Sequence, residues 1–161
     1  MKIGIMDFEK LLQLLRELNR HEVEYVLVGA VAMIVHGIVR TTSDVDLFVR
    51  PEAANIERLR ATLVAIWDDP AIAEITVEDL AGDFPAVRYV PPEADVPINI
   101  LARLGTAFRF EDIESQGIEF DGVPVTVATP RMLHRMKRDT ARLQDQADAE
   151  ALREHFGLAG D

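Results

Sequence analysis

Residues 28–49, VGAVAMIVHGIVRTTSDVDLFV, constrain this chain more than any other stretch. The preceding residues and the first glycine, EYVLVG, read as a short buried strand of β-formers ending at Gly29. Ala30 to His36 are small and apolar enough for a buried helix, with Gly37 placed to stop it. A second strand then runs from Asp44 to Val49. Asp44 and Asp46 stand two residues apart, which puts both carboxylates on one strand face. Folding gains nothing from two like charges side by side, so something cationic is expected there.

The flanking pattern sets the fold class. Phe8, Leu11, Leu12, Leu14, Leu15 and Leu18 recur at helical spacing, with Asp7 as the expected N-cap. Pro51 is expected as the N1 residue of a second long helix, EAANIERLRATLVAIW, which Asp68, Asp69 and Pro70 break. AEITVEDL, AVRYV and VPINIL are strand candidates. Asp121-Gly122 within IEFDGVPVTVA is a hairpin signal. Thr129-Pro130 opens a helical tail that extends to about Phe156. Helix, strand, helix, strand, helix, several strands, then helices argues for an α+β protein. The expected architecture is a mixed sheet with helices packed mainly on one face, forming a single domain over residues 1–161.

Charge and composition narrow the range of partners. The formal net charge of −11 disfavours broad nonspecific nucleic-acid binding, which rests on neutralising phosphates. One segment runs against it: RMLHRMKRDTAR, Arg131 to Arg142, holds five Lys or Arg residues against the single acid Asp139, enough to meet a phosphate locally. Cysteine is absent, so there is neither a disulfide framework nor a thiolate metal site. No apolar run is long enough for a membrane span and no secretory leader is expected; the expected setting is the cytoplasm.

Taken singly, the features of residues 28–49 have ordinary structural explanations. A glycine after a strand packs tightly in many α/β proteins, and Asp-x-Asp can be the wet face of a strand whose Val45 and Leu47 turn inward. In combination they carry chemistry. A glycine lets the backbone approach a phosphate, the next helix start offers N–H groups, and paired carboxylates suit Mg²⁺ or Mn²⁺, which keep room for substrate phosphates. No His cluster has zinc spacing, and neither Ser43 nor Ser115 lies in a nucleophile elbow. His36 is either a phosphate or base contact or a helix-end residue complementing the dipole.

The stretch VGAVAMIVHGIVRTTSDVDLFV resembles the signature of the minimal nucleotidyltransferases of the polymerase-β-like superfamily, and within it the AbiEii-type relatives, some of them toxin–antitoxin components. The tail VTVATPRMLHRMKRDTARLQDQADAEAL is similar to the family's closing pattern. The resemblance implies transfer of a nucleoside monophosphate from a nucleoside triphosphate to an acceptor hydroxyl. It implies that Asp44 and Asp46 hold the metal, that Gly29 and Ala30 approach the triphosphate, and that Lys137 neutralises it. Arg40 either touches phosphate or forms an ion pair orienting Asp44 or Asp46. The acceptor is a protein, an RNA end or a small molecule, and a second copy or a toxin–antitoxin partner is expected to supply its surface.

The chain departs from that pattern in two places. Ala30 follows Gly29 where the family has Gly or Ser, removing one hydroxyl. In PINIL, Asn99 stands where the family's third carboxylate would be, and an amide offers a metal only a neutral oxygen and is no base at neutral pH. Asp95, four residues earlier, is too distant to substitute on a regular strand. Three accounts stay open: an active transferase with a weakened or relocated base, a nucleotide-binding relative that has lost transfer, or an engineered or variant form of an active parent.

Overall fold

The structure, a computed structural model, describes residues 2–3, 6–82, 86–93, 95–104, 108–138 and 143–158. Two short strands, β1 (Lys2–Ile3) and β2 (Met6–Asp7), pair antiparallel ahead of the first helix. Helix α1 (Phe8–Arg20) starts where the Asp7 carboxylate accepts the Lys10 backbone N–H at 3.2 Å. It buries the expected stripe from Phe8 to Leu18. Each such side chain contributes about 1.5–3 kcal/mol when withdrawn from water.

Strand β3 (Tyr25–Val28) is buried throughout and runs directly into α2 (Gly29–Val35). Strand β4 (Val45–Val49) returns antiparallel to β3, and α3 (Ala53–Trp67) follows. Pro51 lies before the α3 N-cap, Glu52, and not at N1 as expected.

A larger difference lies in AEITVEDL, expected as a strand. It forms the end of a 3₁₀ turn (Pro70–Glu74) and helix α4 (Val77–Ala81). Asp69 accepts the Ala71 N–H and Thr76 accepts the Asp79 N–H, so local side-chain bonds to backbone override the β-branched run Ile75-Thr76-Val77.

The remaining strands are β5 (Ala86–Tyr89), β6 (Ile98–Leu101), the short pair β7 (Arg103–Leu104) and β8 (Phe108–Arg109), β9 (Ser115–Phe120) and β10 (Val123–Ala128). Asp121 and Gly122 join β9 to β10 at φ +49° and +82°, the left-handed pair a tight hairpin requires. Helix α5 (Pro130–Lys137) is capped by Thr129, whose hydroxyl accepts the Met132 N–H, and α6 (Leu143–Phe156) closes the chain.

The main sheet has the order β5-β6-β4-β3-β10-β9. β4 pairs with β6, and β3 with β10, in parallel; the other neighbours are antiparallel. This is the mixed sheet the sequence predicts. Tyr25, Leu27, Leu47, Ile98 and Ile100 share one face by register, buried with the inner stripe of α1. Phe8 of α1 meets Phe120 of β9 edge-on at 5.9 Å, and Thr62 of α3 reaches the Glu17 carbonyl of α1. Helices α1 and α3 therefore pack together over one face. The opposite face carries buried Val26 and Phe48 together with the polar Asp46 and Asn99 in the middle of the sheet. Among the described residues no helix is long and apolar enough to cross a membrane.

Candidate functional site

On that second face, Val28, Asp46, Asn99 and Arg88 form one row across β3, β4, β6 and β5, each directly opposite the next. Strand register alone brings them together, because residues facing each other across a ladder present side chains to the same side.

Gly29 follows Val28 at φ +73°. A Cβ built on it would lie 3.0 Å from the Asp46 Cγ and closer still to its Oδ2. Only glycine permits both the backbone turn and the closeness of the carboxylate. No side chain caps α2, the helix that starts here. Asp44 sits just before β4 in a turn where the Thr42 hydroxyl donates to the Asp44 carbonyl at 3.1 Å.

The Asn99 amide joins the two carboxylates. Its Nδ2 donates to Asp46 Oδ1 at 2.8 Å and to Asp44 Oδ2 at 3.2 Å. Its oxygen accepts from Arg88 Nη1 at 2.9 Å, and the same Nη1 donates to Asp44 Oδ2 at 3.1 Å. A guanidinium can only donate and an ionised carboxylate can only accept, so one orientation of the amide satisfies every partner. An aspartate in this position would add a third negative charge within hydrogen-bond distance of the other two. The amide N–H₂ turns that repulsion into two bonds.

A cleft of about 470 Å³ opens on the row, lined by Gly29, Asp46, Arg88 and Asn99 together with Lys137 and Asp145. Leu101, Leu104, Leu133 and Met136 give it an apolar wall. Lys137 lies on α5 with its side chain 11 % exposed, its Nζ 3.0 Å from Asp148 Oδ2 and 3.5 Å from Asp145 Oδ1.

Asp148 anchors Lys137. It is 3 % exposed and accepts Arg40 through Nε at 2.9 Å and Nη2 at 3.3 Å, together with Lys137 and Gln144 Nε2. Burial alone would raise its pKa; the bonds from Arg40 and Lys137 outweigh burial and hold its carboxyl below the usual range.

The sequence-predicted residues therefore divide. Gly29, Asp46, Asn99 and Lys137 line the cleft, and Asp44 is bonded into the row beside them. Ala30 is partly buried in α2 and is not part of the cleft wall. Arg40 does not form the ion pair to Asp44 or Asp46 held open above; its guanidinium is fixed on Asp148, which gathers the segment after α2, α5 and α6. His36 caps the end of α2 and bonds the Ala128 carbonyl at 2.8 Å. Asp95 bonds the Val96 N–H outside β6. The three-residue spacing of Arg142 and Asp145 predicts a structural ion pair, which falls on Arg142, outside the described residues.

Arg88 and Asp148 were not anticipated. Gln144, Asp145 and Asp148 share one helical face, a spacing that signals a polar cluster. Arg88 carries no comparable signal beyond lying on a strand.

Two carboxylates converging on one amide nitrogen supply the oxygen donors that a single hard divalent cation takes. They do not fit a pair of ions. Among the described residues there is no group of three His, Cys, Asp or Glu side chains positioned to hold a metal.

No family model matches the chain, and no curated protein does either. Solved structures do. The antigenic nucleotidyltransferase-like protein from Paracoccidioides brasiliensis is similar with a TM-score of 0.58 at 16 % identity, over 91 % of this chain and 75 % of that one. A candidate nucleotidyltransferase from Thermotoga maritima is similar with a TM-score of 0.56 at 13 % identity, over 96 % of both chains. The chain has the fold of these nucleotidyltransferase-like proteins.

Proposed function

We propose that the protein is nucleotidyltransferase-like in activity: it binds a nucleoside triphosphate with one divalent cation in the cleft, and its transfer chemistry is attenuated. The reading rests on Gly29, held against Asp46 at a positive φ, in a cleft that Lys137 also lines. A backbone stripped of its side chain, a carboxylate pair and a lysine in one cleft are what a metal–triphosphate complex requires of its surroundings.

Asp44 and Asp46 would hold Mg²⁺ or Mn²⁺. The ion, when bound, neutralises phosphate charge and makes the α-phosphorus more open to attack. Gly29 lets the backbone approach the triphosphate, and Lys137 places positive charge beside it. In transfer, an acceptor oxygen bonds to the α-phosphorus, the bond to the bridging oxygen breaks, and pyrophosphate carries away the electron pair. Asn99 cannot take the acceptor's proton, so that proton passes to solvent without help from this position. This is the physical basis of attenuation. The acceptor, a protein, an RNA end or a small molecule, meets the cleft at its apolar wall.

A second reading is a silent nucleotide- or partner-binding module of a toxin–antitoxin-like pair. The Asn99–Arg88 bond favours it, because it leaves the carboxylates satisfied without a metal.

Calorimetric titration of the four ribonucleoside triphosphates with Mg²⁺ or Mn²⁺, on the wild type and on Asp46→Asn, separates these. Metal-dependent binding abolished by the substitution supports the nucleotide site. Absence of binding to the folded wild type leaves the partner-binding module.

A further inference from the structure

We propose that Arg88 is a tethered cation that occupies the carboxylate site in the free protein and transfers to the ligand's phosphates when a divalent ion enters, so that metal and triphosphate bind with positive coupling. The inference rests on the nucleotide-site reading above and adds to it a specificity-determining residue.

Three observations carry it. Arg88 Nη1 is bonded at once to Asp44 Oδ2 and to Asn99 Oδ1, so it neutralises one carboxylate and fixes the amide that bridges both. Its side chain is 51 % exposed, so the bond is screened and costs little to break. It also lines the same cleft as Gly29 and Lys137. A guanidinium binds phosphate oxygens in a bidentate fork, so leaving Asp44 for a phosphate exchanges one charged partner for another.

The coupling follows from the charges. A metal ion arriving alone must displace Arg88 and compete with the Asn99 N–H₂ for the same oxygens. A triphosphate arriving alone meets Asp44 and Asp46. When both arrive, the ion takes the carboxylates and the phosphates take Arg88, and each ligand removes the obstacle to the other. Linkage makes the effect equal in both directions.

The test uses the full chain and Mn²⁺, with free ion followed by its paramagnetic resonance signal. Wild type, Arg88→Gln and Arg88→Lys are titrated with Mn²⁺ alone. Each is then titrated calorimetrically with the tightest of the four ribonucleoside triphosphates, with Mn²⁺ and with the metal chelated. Arg88→Gln is expected to bind Mn²⁺ alone about fivefold more tightly than wild type or better, and Arg88→Lys to stay near wild type. The ratio of triphosphate affinities with and without Mn²⁺ is expected to fall in Arg88→Gln. Equal or weaker Mn²⁺ binding by folded Arg88→Gln overturns the tethered-cation role, while metal-dependent triphosphate binding by the wild type leaves the nucleotide site standing. If the wild type binds neither ion nor triphosphate, the nucleotide site and this inference fall together.

Discussion

Gly29 and Asp46 are packed so closely that hydrogen is the largest side chain the first can carry. Gly29→Ala must relieve both a left-handed backbone and a clash with a carboxylate. It should lower stability by about 1–3 kcal/mol and displace Asp46 from the row. Thermal unfolding reports the first effect and Mn²⁺–triphosphate calorimetry the second. Wild-type values in both would show that the turn has room for a methyl group.

Asn99→Asp replaces an amide that donates to both carboxylates with a third negative charge. The metal-free protein should lose about 1–3 kcal/mol, because Asp44 and Asp46 lose their shared donor and gain a repelling neighbour. Millimolar Mg²⁺ should restore most of that loss, and nucleotide transfer should increase. Urea denaturation with and without Mg²⁺ is the check. A variant whose stability ignores Mg²⁺ would argue against metal binding at this row.

Asp148→Asn removes the buried anion on which Arg40 and Lys137 both rest. Loss of one partner from a buried charge cluster costs about 3 kcal/mol, and the freed Lys137 should alter triphosphate affinity as well. The pH dependence has a definite sign. The carboxyl is held below its ordinary value of 3.8, so its contribution is complete above that value and disappears as pH falls through the lower folded value. Acid titration of stability should show a drop below about pH 3.8 in the wild type that is reduced in Asp148→Asn. Matching acid limbs in the two proteins would refute the assignment.

Thr129→Ala should destabilise α5 by about 1 kcal/mol through loss of its N-cap. It also removes a bond of 2.7 Å to Glu114, whose pKa is lowered by that hydroxyl and by Arg131. Nuclear magnetic resonance titration should find the Glu114 carboxyl shifted upward, toward its ordinary value, in the variant. An unmoved Glu114 would mean that Arg131 and Arg135 set it without the hydroxyl.

Much of the site was legible because its elements are announced locally. Gly29 ends a run of β-formers, Asp44 and Asp46 alternate with buried Val45 and Leu47, and Thr129 stands before a proline; each is a signal within a few residues. Asn99 stands opposite Asp46 across the β4–β6 pairing. What stayed hidden depends on distant partners. Arg40 and Asp148 are 108 positions apart, and nothing near either one predicts the other. Arg88 acquires its meaning only from the pairing of β5 with β6. The stretch from Ile75 to Val77 misled for the opposite reason: its β-branched side chains speak for a strand, while the hydroxyl of Thr76 closes a helical turn.

The parallel pairing of β4 with β6 has a consequence for how the protein comes into being. Asp46 and Asn99 are 53 positions apart, with α3, α4 and β5 made between them. A chain emerging from the ribosome thus exposes both aspartates well before the amide that reconciles them is synthesised. Closing so long a loop is entropically costly and is expected late, after local helices such as α1. In refolding, Mn²⁺ uptake should therefore lag behind the helical circular-dichroism signal, making ligand competence a marker of the completed sheet; simultaneous appearance would show that β4 and β6 meet early.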